Sequence, residues 1–391
     1  MRWPPGHRRP CNEQTTSLEE KAVIRSLVTA AATLAIAAGA ASAQDEPIRV
    51  GYQLPLTGET AQYGQGFRNA ATMQLEKFNA SDRLPVDVEI VFEDSRSDAK
   101  EGVNIARKFV DDDAIVAVLG DFTSTVSMAA AQVYRREEMP QLSQTASHPD
   151  YTKISEYQFR NITTQDQEGP YNAQWLKALG YDKVAVIAEQ TDWGQSVVAG
   201  FTKKFEELGG EVVFSEFFNR GLKDFRSTIT KIQRAEPDAI YTGYFYEDGA
   251  NFLRQMKQLG VEIPVFSTSA AYNPTLIDLA GDAAEGMRLT VTFLPTSDDP
   301  NVKAFVEEYT ERYGEEPGQF PAQAYDAVGI MLEAIAATYP DVTRAAMRDA
   351  LAATKDYPGV TGVTTFDENR EPAKELTKAE IKDGTFQRLA D

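Results

Sequence analysis

From Ile48 onward, short apolar runs alternate with stretches whose apolar residues recur every three or four positions. This alternation constrains the fold more than any single motif does. Strands are predicted at Ile48–Leu54, Val86–Phe92, 115–119, Lys183–Ala188, Glu211–Phe214, Asp238–Gly243 and Val265–Ser267. Helices are predicted between them. One covers roughly 66–80, one Ala99–Asp111 with Val103, Ala106 and Val110 inward, and one opens at Gly169-Pro170 and ends at Gly180. Another places Val197, Phe201, Phe205 and Leu208 on one stripe and stops at Gly209-Gly210, as glycine permits after a helix. Later stripes are Phe252, Met256 and Leu259, then Val302, Phe305 and Tyr309, then Tyr325, Val328, Leu332 and Ile335. Repeated βα units at this spacing predict an α/β fold of mostly parallel sheets flanked by helices.

Within that frame, residues 115–150 carry the chemistry. The apolar run Ile115–Leu119 ends in Gly120-Asp121, and hydroxyls follow at Thr123, Ser124, Thr125 and Ser127. The order reads as strand, tight turn and a helix start rich in hydroxyls. A helix start leaves amide N–H groups unpaired and suits a carboxylate or other anion. A second hydroxyl set, Ser143, Thr145 and Ser147, stands at the end of the next predicted strand. In a parallel sheet both sets fall at the carboxyl edge, where open α/β sheets place ligands. Plain N-caps and turn residues would use the same hydroxyls.

Length and charge narrow the class. Lys21 and Arg25 flank an apolar run from Leu27 to Ala38, and Ala41-Ser42-Ala43 fits a signal-peptidase pattern. Residues 1–43 are therefore expected to be a signal region cut before Gln44, and 1–22 can be read as a gene-start artefact. No Cys follows the cut, so a lipid anchor is not expected, and the only cysteine, Cys11, lies upstream. The remaining chain would carry a charge near −22, since the 39 basic and 59 acidic residues lose five and three with the leader. That balance argues against nucleic acid and anionic membrane as partners and favours a soluble monomer. Its length exceeds what one core usually serves. Composition breaks near Arg160–Gln165 and Thr292–Ser297 predict two crossings between lobes, with a binding cleft between them.

Catalytic and cofactor motifs are missing. Gly64-Gln65-Gly66 lies too late after the first strand for a dinucleotide fingerprint, and no P-loop, HExxH, CxxC or nucleophile elbow occurs. His148 is the one histidine beyond the leader, which disfavours a metal centre or a His-based triad. No cofactor and no metal are expected, and a periplasmic hydrolase is the rival that would need a nucleophile–base pair. Aromatic residues instead gather at predicted strand ends: Tyr63, Trp193, Tyr244 to Tyr246, and Tyr272. Rigid amphipathic rings suit a closing cleft.

Several stretches resemble the periplasmic leucine/isoleucine/valine-binding proteins, the type I substrate-binding components of ABC transporters. They are Pro55-Leu56-Thr57-Gly58 with Ala61-Gln62-Tyr63-Gly64, Gly120-Asp121 with Ser124, Ser147-His148-Pro149-Asp150, Thr191-Asp192-Trp193-Gly194, Gly243-Tyr244, and Asp278 to Gly286. The resemblance implies two α/β lobes joined by three crossings, the third near 367–371. The lobes would comprise 44–162 with 293–368, and 163–292 with 369–391. It also implies a periplasmic, non-enzymatic receptor that delivers a small solute to an inner-membrane ABC permease.

Residue by residue, the resemblance puts the family's carboxylate-binding serine on Ser124. The hydroxyl that touches both carboxylate and ammonium falls on Ser147, with Thr145 and Ala146 nearby. The closing aromatics fall on Tyr63, Trp193 and Tyr244. The glutamate that pairs with a ligand ammonium in the family falls at about Ser269, which supplies no charge. An ammonium would then need Glu189, Asp192, Glu247 or Asp121. The expected solute is a branched-chain or other hydrophobic amino acid; the alternative is an amine-free acid, aromatic or branched-chain keto acid, or a small amide.

Overall fold

The computed structural model describes residues 46–389, together with 1, 2 and 6. The expected signal region and its cleavage pattern lie outside the described residues. Met1–Glu46 and Pro47–Asp391 separate as two units, and every helix and strand named below belongs to the second.

Two sheets organise this unit. The first comprises β1 (Ile48–Leu54), β2 (Val88–Asp94), β3 (Ile115–Gly120), β4 (Gln141–Ser143) and β5 (Gln158–Arg160). They lie in the order β2-β1-β3-β4-β5, and every pair is parallel. Between them run α1 (Ala61–Asn79), α2 (Ala99–Val110) and α3 (Ser124–Tyr134). The chain then passes through α4 (Gln165–Ala178) into a second parallel run: β6 (Lys183–Glu189), β7 (Glu211–Phe218), β8 (Ala239–Gly243), β9 (Val265–Ser267) and β10 (Arg288–Val291). Helices α5 (Asp192–Glu207), α6 (Arg226–Ala235), α7 (Tyr246–Gln258) and α8 (Pro274–Ala280) connect these strands.

After β10 the chain forms α9 (Pro300–Tyr313), α10 (Gln319–Thr338), α11 (Arg344–Ala352) and the hairpin β11–β12 (Tyr357–Gly359, Gly362–Thr364). Helix α10 lies along α1, and α11 meets β3, so this late segment completes the first sheet's layers. The chain finally returns as β13 (Thr377–Lys382) and β14 (Thr385–Arg388), two antiparallel strands added beside β10. The second sheet thus reads β14-β13-β10-β9-β8-β6-β7.

Burial and capping explain why these residues form these elements. Residues 184–188 are buried at every position, as a parallel strand covered on both faces requires. Asp98 caps α2 by accepting from the amides of Lys100 and Glu101, and Thr123 and Thr191 cap α3 and α5. Each sheet reverses its strand order beside its first strand, between β1 and β3 and between β6 and β8. Those reversals open crevices at the carboxyl ends of the strands.

Two helices begin earlier than periodicity predicts. Helix α1 starts at Ala61 and absorbs Gly64 and Gly66, which read as loop residues. A Cβ on Gly64 would come within 1.6 Å of the Pro55 carbonyl oxygen, so glycine there serves close packing rather than a turn. Helix α4 starts at Gln165, ahead of Gly169-Pro170. A Cβ on Gly169 would meet the Gly200 backbone at 2.8 Å, because α4 and α5 cross there at close range.

Candidate functional site

The carboxyl edges of both sheets frame one cavity of about 230 Å³. The first sheet supplies Ser97 after β2, Phe122 to Thr125 after β3, Thr145 and Ser147 after β4, and Ile162 and Gln165 after β5. The second supplies Glu189, Gln190, Thr191 and Trp193 after β6, Arg220 after β7, Phe245 after β8, and Ser269 and Ala270 after β9. Phe320, at the start of α10, completes the wall. An apolar cavity of roughly 150 Å³ already accepts a benzene ring, so this one suits a single small solute.

One end presents hydroxyls and helix-start amides. The hydroxyl of Thr123 accepts from the Val126 amide at 3.4 Å, while the amides of Ser124 and Thr125, first in α3, have no intrahelical acceptor. The helix dipole adds partial positive charge there. Ser124 Oγ accepts from the His148 amide at 3.2 Å, and Thr125 Oγ1 is buried without a partner among the described residues. Thr145 Oγ1 donates to the Phe122 carbonyl at 2.7 Å. Ser147 Oγ accepts from Gln165 Nε2 at 3.3 Å. Ala146 is fully buried; its amide donates to Ser143 Oγ and its carbonyl accepts from Arg160. From the other sheet α5 presents its start to the same cavity, with Thr191 Oγ1 accepting from the Gly194 amide at 3.1 Å.

The rest of the wall is aromatic. Trp193 stacks on Phe245 with ring centroids 5.0 Å apart, and Phe245 lies 5.2 Å from Phe122. Tyr63 stacks behind Phe122 at 4.6 Å and meets Phe320 edge-on at 4.9 Å. Tyr63 is therefore at the site as part of its backing. Tyr244 lies deeper, fully buried, with its hydroxyl 3.5 Å from Met287 Sδ; the cavity-facing ring in that segment is the next residue, Phe245.

The candidate acids divide. Glu189 lines the cavity, but both its carboxylate oxygens accept from Arg220, through Nε and through Nη2, the latter at 3.1 Å. Asp192 is exposed at the first position of α5, outside the lining. Glu247 accepts from the Tyr246 hydroxyl and also lies outside it. Asp121 sits under the floor: its carboxylate accepts from the Thr123 amide and from Gln53 Nε2, and its carbonyl from Ser143 and Ser127. Burial pushes its carboxyl up to about 6 against those hydrogen bonds. Ser269 does line the cavity, and its amide donates to the buried Glu168 at 2.6 Å.

Sequence reading missed Arg220, Phe122, Phe320, Gln165 and Glu168, and it placed Phe245 only within the aromatic run 244–246 while giving the closing role to Tyr244. Phe122 and Phe245 each directly follow a singled-out residue, Asp121 and Tyr244, two positions past the strand ends Gly120 and Gly243, so the signal was there and the register was off by one. Arg220 was hidden because β7 runs to Phe218, four residues past its predicted end. Among the described residues no group of His, Cys, Asp or Glu is placed to hold a metal ion, and no helix is long and apolar enough to cross a membrane.

Comparison with known proteins gives this geometry its context. The family pattern described as periplasmic binding protein matches residues 47–385. The Leu/Ile/Val-binding protein homolog 1 of Brucella abortus is 29% identical over 334 residues, covering 83% of this chain and 87% of that one. A solved Rhodospirillum rubrum protein, provisionally described as a branched-chain amino acid ABC transporter, is 49% identical, with 88% of this chain and 100% of that one covered and a TM-score of 0.68. A leucine-binding protein from Thermotoga maritima is 28% identical, with 88% and 98% covered and a TM-score of 0.82. The two-sheet α/β architecture expected from the resemblance is the one these structures share. The chain belongs to the periplasmic binding protein family.

Proposed function

We propose that this protein is the periplasmic substrate-binding component of an ABC importer, closing over a branched-chain or other hydrophobic α-amino acid. One observation carries the reading: the open start of α3 and an aromatic wall face each other across a single small cavity. The amides of Ser124 and Thr125 with the Ser124 and Thr125 hydroxyls would take the carboxylate. Phe122, Trp193, Phe245, Phe320 and Ile162 would enclose the side chain. The names of the Brucella abortus and Thermotoga maritima relatives support the same ligand class.

In this reading residues 44–162 with 293–368, and 163–292 with 369–391, act as two lobes that hinge at their three crossings. The Rhodospirillum rubrum chain has the higher identity but the lower TM-score of the two solved relatives. That is the pattern expected when the same two halves rest at different angles. The protein would work as an exported monomer, releasing its cargo unchanged to the permease. Incubation with a metabolite pool followed by mass spectrometry tests this: an unaltered amino acid should return, and turnover of a bound compound would sink the reading.

A second reading, an amine-free organic acid, draws on Ser269 and on Arg220 occupying Glu189. A thermal-shift screen pairing leucine with its keto acid and phenylalanine with benzoate separates the two, because a ligand stabilises only the state it binds. Stabilisation by the acids alone would replace the amino acid with the second reading.

A further inference from the structure

A ligand ammonium needs an acceptor, and Ser269 has no charge to give it. Glu189, the one carboxylate in the cavity wall, is engaged at both oxygens by the Arg220 guanidinium. A third ion there would compete with a bidentate pair, among the stronger contacts a carboxylate makes. The same wall holds Gln165, first residue of α4 and only 1% exposed. Its Nε2 donates to Glu168 Oε2 at 2.8 Å and to Ser147 Oγ at 3.3 Å. The bond to a carboxylate fixes which end of the amide is nitrogen. Its Oε1 is thereby left as an acceptor, buried and without a partner among the described residues. A buried acceptor without a donor is costly, and such groups in native proteins generally have a partner to meet.

Resting on the amino-acid reading above, we propose that Gln165 Oε1 accepts the hydrogen bond of the ligand ammonium, with the Glu168 carboxylate behind it supplying the compensating charge. Glu168 takes the place of the charge lost at Ser269: it is fixed by the Ser269 amide at 2.6 Å and by Thr290 Oγ1 at 2.9 Å. Gln165 also donates to Ser147, so the acceptor for the amine and a hydroxyl near the carboxylate site are tied into one array. Thr125 Oγ1 and Gln165 Oε1 are the orphaned polar side-chain atoms among the described residues of the wall. They lie on α3 and α4, and supply a donor for the carboxylate and an acceptor for the ammonium. Glu168 is a positioning residue, since it acts through Gln165.

The test compares leucine with 4-methylpentanoate, which lacks only the amine, by calorimetric titration of the whole protein. The wild type should prefer leucine. Gln165→Met should reduce that preference by about tenfold or more, the size of a lost charge-assisted bond. Glu168→Gln, which keeps the shape and removes the charge, should also reduce it. Glu189→Gln should change both affinities by the same factor. Thermal melts without ligand confirm that each variant is folded, and a merely structural loss would lower both affinities alike. An unchanged preference in both Gln165→Met and Glu168→Gln, or a preference abolished by Glu189→Gln, overturns the inference. A wild-type protein that binds no α-amino acid overturns the underlying reading as well.

Discussion

The hydroxyl of Tyr63 accepts from the backbone amide of Tyr246 at 3.3 Å, joining α1 beside the first sheet to the start of α7 on the second. The same hydroxyl donates to the Ala270 carbonyl at 3.4 Å. Both partners belong to the second sheet's connections, so Tyr63 ties the first sheet's layer to the second behind the cavity wall. Tyr63→Phe keeps the ring packing and loses both bonds, at about 0.5–1.5 kcal/mol each. Affinity should fall through faster release. Stopped-flow dissociation would show it, and an unchanged off-rate would reduce Tyr63 to packing.

Closure itself has a global readout. If the halves hinge, added ligand should lower the radius of gyration in small-angle scattering. An unchanged radius, with binding confirmed separately, would count against hinging.

Ser124→Ala removes a hydroxyl at the start of α3 while leaving the helix amides in place. Binding should weaken by roughly 1–3 kcal/mol, or about 5- to 150-fold, as for a hydrogen bond to a charged group. Calorimetry at wild-type affinity would make Ser124 an ordinary helix residue whose oxygen serves the His148 amide alone.

Asp121 links stability to pH. Burial raises its carboxyl from 3.8 to about 6, so the folded state favours the protonated form. Its contribution is complete below the unfolded value and is lost as pH rises through about 6, on the order of 3 kcal/mol. Asp121→Asn should therefore gain on the wild type between pH 4 and pH 6, as thermal melts would register. A difference between the two that stays flat across that window would refute the assignment.

The crossing of α4 and α5 leaves no room for side chains. A Cβ on Gly200 would come within 2.7 Å of the Gln165 carbonyl oxygen, which is backbone and cannot swing away. Gly200→Ala should cost about 1–3 kcal/mol of stability by overpacking. It should also weaken ligand binding, because the shifted residue is Gln165. A melt at the wild-type temperature would show that the helices can separate freely.

Much of the fold was legible because parallel strands buried on both faces read as apolar runs, as Ile115–Leu119 and Lys183–Ala188 do. Helix starts were harder. Gly64, Gly66 and Gly169 look like breaks in one dimension, yet each packs closely at a helix surface, Gly64 against the Pro55 backbone, Gly66 against Pro321 and Gly169 against the Gly200 backbone. At the site, Ser124, Thr145, Ser147 and Trp193 were legible from strand-end chemistry and Ser269 only through the family resemblance, and all five line the cavity. Arg220 was not, because its importance comes from Glu189 on the adjacent strand, and cross-strand pairing leaves no local pattern. Gln165 was not, because an unpaired acceptor is visible only once every neighbour has been placed.

Helix α10 lies along α1, Phe320 packs on Phe67 and Phe122, and Asn161 donates to the Gln323 carbonyl at 3.4 Å. The partners are separated by well over a hundred residues of chain. A nascent polypeptide released only as far as Val291 therefore holds all five strands of the first sheet with this covering absent. Contacts of such long sequence separation form slowly and late. The strands of the first sheet are therefore synthesised before the helix that covers them, and that sheet's core is complete only once the chain has passed Gln323.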